Sequence, residues 1–219
     1  MPKSMQIDIV SDVSCPWCVI GYYSLQQALA ELQQELQAEV QWLPFELNPQ
    51  MVSEGEEINQ HLARKYAISE AQMAQNRQHI QQRGMAVGYA FGERGGGRIY
   101  NTFDAHRLLH WAGLAKQQTA LKLALFDLYF KQGGNPSDHQ QLLQVVEQVG
   151  LDVNEAADIL NSSRYQPEVR QLQQHYQNLG IQSVPAFIIN QRQLISGGQP
   201  PEVFVSALRQ IAAETADAE

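Results

Sequence analysis

Two cysteines stand in a chain of 219 residues, and they lie three positions apart, in the stretch SDVSCPWCVIGYYSL from Ser11 to Leu25. Cys15 and Cys18 in this spacing fit three chemistries: a dithiol that exchanges disulfides, half of a zinc site, or a small structural loop. A zinc knuckle needs about four ligands and the motif supplies two. There is no second Cys-x-x-Cys, and His61, His79, His106, His110, His139 and His175 are scattered along the chain. His106 and His110 could share a helix face, but no carboxylate or cysteine motif stands beside them, so no metal is expected. A permanent structural disulfide is disfavoured in a reducing compartment. Redox exchange remains, and there the attacking species is a thiolate.

The elements that must position the sulfurs can be read around them. Gln6–Val10 alternates polar and apolar residues, as a short strand does. From Pro16 the period changes, and Tyr22, Leu25, Leu29, Leu32 and Leu36 mark the stripe of an amphipathic helix. The segment AEVQWLPFELNP predicts a strand over Val40–Leu47, with Pro44 tolerable at an edge or a bulge. Strand, helix and strand make a βαβ unit. Cys15 falls at its first junction, and Pro16 takes an early helical position where a missing N–H costs nothing. The helix start offers Cys15 the free N–H groups of Trp17 and Cys18 and the positive end of the dipole. The dipole contributes about 0.3–1 kcal/mol, or ~2 if partly buried, against about 1.36 kcal/mol per pKa unit. It therefore lowers the thiol by only about one unit, and direct hydrogen bonds must supply any remainder. Cys15, on the exposed helix tip, meets substrate first as the nucleophile. Cys18, one turn on, is more buried, stays a thiol and resolves the mixed disulfide.

From Glu56 to about Gly180 the pattern is almost wholly helical. Segments near Glu56–Tyr66, Ser69–Arg83, Asn101–Trp111, Lys116–Lys131, Asp138–Val149 and Asn154–Leu160 carry the period. The glycine-rich GMAVGYAFGERGGGR reads as an ordered turn plus a mobile loop. Its Gly95–Gly97 run has no strand before it and no Gly-Lys-Ser/Thr after it, so it is not read as a phosphate loop. Pro167–Leu179 is a further helix, closed by Gly180 as a left-handed cap. Pro185–Ile189 and Gln193–Ser196 form two short strands joined by a turn near Asn190–Gln191. Pro200 and Pro201 start a last helix with Val203, Phe204, Leu208 and Ile211 inward, and the tail ETADAE is acidic and frayed.

Ser183–Ile188, SVPAFI, places a proline ahead of an apolar strand. A cis Val184–Pro185 bond would turn the Val184 backbone N–H and C=O toward the cleft, where a substrate strand can pair with them. An edge-strand or turn proline is the plainer alternative. Pro16, Trp17 and Val184 are the candidate substrate contacts.

C-P-W-C after a short strand, the V-P-A-F loop and the helices between them resemble the DsbA-type thioredoxin-fold family. More narrowly, DVSCPWCVIG, PFELNP, NTFDAHRL and SVPAFIIN resemble its cytoplasmic FrnE-type branch of thiol–disulfide oxidoreductases. The resemblance implies an α/β thioredoxin fold with a large all-helical insertion between the βαβ and ββα halves. Residues 1–50 and 178–213 would form the discontinuous thioredoxin-like domain, 51–177 the insertion, and 214–219 an acidic tail. It also implies nucleophile Cys15, resolving Cys18 and cis-Pro185.

Two positions depart from the pattern. The best-known periplasmic members carry His inside the dipeptide, where this chain has Trp17, so a less acidic Cys15 and a less oxidising couple are expected. Many thioredoxin-like proteins place a buried acid six residues before the nucleophile, where this chain has Ile9. Asp12, at the strand end, is then the candidate proton shuttle, against the alternative of an exposed turn carboxylate. In NTFDAHRL, Asn101 or Thr102 is expected to cap a helix, with Phe103, Leu108 and Leu109 packing. His106 and Arg107 are read as packing residues beside the cleft.

Composition bounds the partners. Hydrophobic residues make up 44% and charged ones 17%, enough apolar material for a core without disulfide staples. A formal charge of −8 argues against nucleic acid or an anionic membrane surface. The opening MPKSMQIDIV lacks a signal-type apolar run and no stretch is long enough to span a membrane, so a cytoplasmic protein is expected. The expected partner is a thiol- or disulfide-containing protein or glutathione, the latter as co-substrate. No cofactor is expected beyond the Cys15–Cys18 pair. Glutathione-dependent isomerases and transferases of the 2-hydroxychromene-2-carboxylate isomerase and kappa-class type usually carry Ser at the attacking position and need no resolving residue; Cys18 favours exchange. A non-enzymatic redox-sensing module would show no turnover.

Overall fold

The computed structural model describes residues 2–93 and 97–216. In chain order the elements are β1 (Lys3–Ser11), α1 (Pro16–Glu31), β2 (Leu36–Pro44), β3 (Glu56–Glu57), α2 (Ile58–Tyr66), α3 (Glu70–Ala86), β4 (Arg98–Ile99), α4 (Phe103–Leu114), α5 (Gln118–Phe130), α6 (His139–Gln148), α7 (Val153–Leu160), α8 (Gln166–Asn178), β5 (Ala186–Ile189), β6 (Gln193–Ser196) and α9 (Pro201–Ala216).

The main sheet has the order β2-β1-β5-β6. β1 runs parallel to β2 from Lys3↔Leu36 to Ser11↔Pro44 and antiparallel to β5 from Ile7↔Ile189 to Val10↔Ala186. The central position of β1 explains why Ile7, Ile9 and Val10 are fully buried. β2 is an edge strand, which satisfies the condition set by Pro44. The β5–β6 turn holds Asn190 and Gln191 at φ 50° and 57°, the left-handed pair that a tight hairpin requires. α1 and α9 lie together against the sheet, with Phe187 of β5 and Phe204 of α9 edge to face at 4.8 Å. Both rings are fully buried, and truncating either removes about 3–5 kcal/mol.

Several boundaries differ from the sequence reading. Leu36 does not continue α1. The N–H groups of Glu35 and Leu36 turn back onto the Leu32 carbonyl, and Leu36 opens β2, which therefore runs eight residues ahead of Pro44 instead of centring on Val40–Leu47. The block expected to be all-helical contains a two-stranded ribbon, Glu56↔Ile99 and Glu57↔Arg98, too short to show a period in sequence. Gly84–Ala86 belong to α3, whose start is fixed by a Ser69–Gln72 capping box, while residues 95 and 96 of the glycine run lie outside the described residues. Lys116, at φ 56°, turns the chain before α5 instead of joining it. Val203 is exposed, and Val205 takes the inward place expected of it beside Phe204, Leu208 and Ile211. α9 continues to Ala216, past the start of the tail expected at 214; residues 217–219 lie outside the described residues.

The helices from α4 to α7 surround a second core that includes Leu108, Leu121, Leu125, Leu142, Val146 and Ile159. Val13, from the loop between β1 and α1, belongs to that core too. The loop that carries the sulfurs is thereby anchored to both halves of the molecule.

Candidate active site

Cys15 is the N-cap of α1, with extended backbone at φ −96° and ψ 112°, and Pro16 follows in the first turn. The Cys18 N–H donates to the Cys15 carbonyl at 3.1 Å. The expected bonds from the Trp17 and Cys18 N–H groups to the Cys15 sulfur are not made, since Cys15 has no side-chain cap bond. Both cysteines are free thiols, and the Cys15 Sγ–H points instead to the Val184 carbonyl, 3.6 Å away and 169 positions along the chain. The Val184–Pro185 bond is cis, as the resemblance implied.

Gly21 allows this approach. A Cβ there would come within 2.9 Å of the Phe187 ring and 3.2 Å of Pro185. Cys18 is fully buried, as expected. Cys15 is not on an exposed tip: it retains only 3% of its surface, because the proline loop, Trp17 and Val184 pack around it. Pro16, Trp17 and Val184 are each half-buried and form the rim.

On the rim, Trp17 has neighbours that the sequence did not place. The His79 ring meets it edge-on at 5.4 Å. The Arg83 guanidinium lies 5.9 Å from its centroid and donates to the Gly198 carbonyl at 3.0 Å. Both come from α3, whose contact with α1 is a tertiary event.

Behind the sulfurs lies a polar cluster. Asp12 is 1% exposed, so the exposed-turn alternative is excluded. Its Oδ2 accepts from the Leu47 N–H at 2.8 Å and the Ser14 hydroxyl at 3.2 Å. Its Oδ1 lies 3.3 Å from His106 Nε2. Burial pushes the Asp12 carboxyl up, but bonding to and charge on His106, the Leu47 N–H and the Lys122 charge outweigh it and hold the group below its ordinary value. His106 is therefore a partner of the carboxylate, beyond the packing role expected of it. Arg107 does not reach the cleft; it is buried against the carbonyls of Ile159, Ser162 and Arg164.

Burial pushes the Cys18 thiol well above the ordinary range, and its bond to and the charge of Cys15 push it further. Lys122 and the Asp12 backbone act in the opposite direction. Lys122 is a residue the sequence reading missed, although a signal was present. In TALKLALFDLYF it shares a face with Phe126 and Tyr129 at i+4 and i+7, a lone cation on an apolar stripe.

A four-stranded sheet with this strand order, flanked by α1 and α9, and with Cys-x-x-Cys facing a cis-proline, defines a thioredoxin-type domain interrupted by helices. The chain belongs to the family of DSBA-like thioredoxin domains, whose profile matches residues 6–209. It is 32% identical to a probable DsbA oxidoreductase from Streptomyces coelicolor, with a TM-score of 0.87 over 94% of this chain and 89% of that one. A 2-hydroxychromene-2-carboxylate isomerase matches at 15% identity and a TM-score of 0.71, over 98% of this chain and 99% of that one. The cytosolic disulfide reductase DsbM from Pseudomonas aeruginosa, solved with GSH, matches at 17% identity and a TM-score of 0.64, over 94% and 98%. At their low identities the last two share the fold. Among the described residues no helix is long and apolar enough to cross a membrane.

Proposed function

We propose that this protein is a thiol–disulfide oxidoreductase of the FrnE-type branch, acting in the cytoplasm on a thiol- or disulfide-containing protein or on glutathione. The observation that carries the reading is the position of Cys15 Sγ, at the N-cap of α1 and 3.6 Å from the Val184 carbonyl beside Pro185. The Cys15 thiolate attacks a substrate disulfide and one substrate sulfur leaves. Cys18 then attacks Cys15 and releases the second. Val184 supplies backbone groups for an extended substrate segment, with Pro16 and Trp17 at its sides. The Cys15–Cys18 disulfide is the redox carrier, and no other cofactor is invoked. Oxidation, reduction and isomerisation share these steps and differ in poise.

A glutathione-dependent isomerase reading draws on the likeness to 2-hydroxychromene-2-carboxylate isomerase. Cys18 speaks against it, because that chemistry uses the thiol of glutathione and needs no resolving sulfur. A redox-sensing module would equilibrate without turnover.

The test is equilibration with glutathione redox buffers, followed through the fluorescence of Trp17, on the wild type and Cys18→Ser. The wild type is expected to interconvert reversibly between dithiol and disulfide. The variant is expected to trap a glutathione mixed disulfide on Cys15, seen by mass. A Cys15 that never forms that adduct overturns the reading. With Trp17 where His helps other members, the couple is expected to be less oxidising than theirs, which Trp17→His would reverse in part.

A further inference from the structure

Arg83 is fixed at the rim of the sulfur site and yet keeps most of its donors. It comes from α3, is half-buried, and donates from Nη2 to the Gly198 carbonyl at 3.0 Å. Its guanidinium lies 5.9 Å from the centre of the Trp17 ring. Both anchors are tied to the Cys-x-x-Cys turn. Trp17 belongs to that turn, and Gly198 presses on it. A Cβ at Gly198 would come within 2.9 Å of the Trp17 carbonyl oxygen and 3.3 Å of its ring. His79, one turn earlier on the same face of α3, meets the Trp17 ring edge-on at 5.4 Å.

Ion pairing sets Arg83 apart. Arg64, Arg107, Arg164, Arg170 and Arg209 each pair with a carboxylate of this chain. Among the described residues Arg83 pairs with none, and its one hydrogen bond goes to a neutral carbonyl. A guanidinium carries about five N–H donors in a planar fork that matches a carboxylate. A latch from α3 to Gly198 needs one donor and no charge, and a glutamine would supply it. The charge and the rest of the fork are left to explain. In a chain of formal charge −8, they reverse the sign beside the attacking sulfur.

Resting on the disulfide-exchange reading, we propose that Arg83 binds a carboxylate of the substrate, and so selects small disulfides that carry a carboxylate close to the sulfur. Trp17 is two positions from Cys15. A carboxylate that reaches Arg83 therefore lies one or two residues of chain from the attacked sulfur, at about 3.5 Å per residue. Glutathione disulfide fits, since each half carries a carboxylate on both sides of its cysteine. With one carboxylate in the open part of the fork, the Cys15 thiolate forms a bond to one glutathione sulfur. The disulfide breaks with its electron pair on the other sulfur, which leaves as the glutathione thiolate. Arg83 takes no part in the bond exchange; it holds the disulfide over Cys15 by its charge.

Rapid mixing of the reduced protein with a disulfide reads this first step as the appearance of the mixed disulfide on Cys15. Glutathione disulfide carries carboxylates, 2-hydroxyethyl disulfide is neutral and cystamine is cationic. Arg83→Gln keeps a donor for Gly198 and removes the charge. It is expected to slow glutathione disulfide about 5- to 10-fold, to leave 2-hydroxyethyl disulfide within about twofold and to speed cystamine about two- to threefold. An equal change for all three disulfides would mean that Arg83 acts by packing on Trp17, and overturns the proposal. No change for any of them overturns it as well.

The wild type supplies a second measurement that needs no variant. If the charge of the whole chain ruled, salt would speed the reaction with an anionic disulfide. Pairing with Arg83 predicts the opposite: a glutathione disulfide rate that falls about threefold between about 0.02 and 0.5 M salt, while that of 2-hydroxyethyl disulfide stays level. A glutathione disulfide rate that rises with salt, or ignores it, removes this proposal and leaves exchange standing. A wild type that forms a mixed disulfide with none of the three removes the exchange reading itself, and this proposal falls with it.

Discussion

Two fully buried cations, Arg107 and Lys122, lie on neighbouring helices and are treated in opposite ways. The Arg107 guanidinium donates to the carbonyls of Arg164 at 2.9 Å and Ser162 at 2.6 Å, to that of Ile159, and to the Asp104 carboxylate at 2.7 Å. It closes the open carbonyl end of α7, a place that suits a cation, and ties α4 to the turn before α8. Among the described residues Lys122 has no such partners. A satisfied buried charge holds a structure together, whereas an unsatisfied one is an expense that a function must explain. The helical segment thus contains one buried charge tied into the packing and one left without a hydrogen-bond partner among the described residues.

The contrast can be broken or sharpened by mutation. Arg107→Ala removes the guanidinium from three carbonyls and from the Asp104 carboxylate. Ile159 keeps Ser162 and Asp104 keeps His139 as partners, and the variant is expected to lose about 3–5 kcal/mol of stability in urea unfolding. Glutathione exchange by the folded fraction should not change; a large kinetic defect there would erase the distinction. Asp12→Asn is expected to cost about 2–3 kcal/mol at neutral pH, through weaker bonds to His106 and Leu47. The folded Asp12 value lies below its ordinary 3.8. Its contribution is therefore present above that pH and lost as pH falls through the folded value. Unfolding curves of wild type and variant should converge in that acid range.

Lys122→Met has the opposite sign. The folded lysine titrates near 8 against an ordinary 10.5, so the unfolded chain binds more proton between those values. The penalty is fully present below about 8 and disappears above 10.5. The variant is expected to be more stable than the wild type by about 1–3 kcal/mol near neutrality, with the gap closing as pH rises through that window. A constant gap would mean that Lys122 titrates in the fold as it does in the unfolded chain. The smallest effect belongs to an exposed cation: Lys131, paired with Asp127 at 2.9 Å and 41% exposed, should lose less than about 1 kcal/mol on replacement by alanine.

The parts of the site that could be read from sequence are those fixed by short-range covalent geometry. Cys15, Pro16 and Cys18 are neighbours, and a strand followed by a proline-started helix puts the first sulfur on a helix end whatever surrounds it. The hairpin after Pro185 was legible because two short apolar runs flank the polar Asn190–Gln191 pair, and Asn tolerates a left-handed turn. Val203 and Leu36 were misplaced because periodicity gives a stripe but not its edges, and pairing with β1 outweighed the helix at Leu36. The exposure expected of Cys15 failed for a similar reason, since the loop that covers it arrives from 169 positions away.

Sequence alone determined where the two sulfurs sit, which of them lies deeper in the helix, and that a proline stands ahead of an apolar strand; backbone preference and local spacing act before any tertiary contact forms. Only the folded structure decided that Asp12 and His106 meet across 94 positions, that Arg107 is satisfied, and that Lys122 is sealed against the Trp42 and Phe126 rings. Desolvation and charge coupling depend on what is packed around a group in space, and no spacing along the chain encodes that.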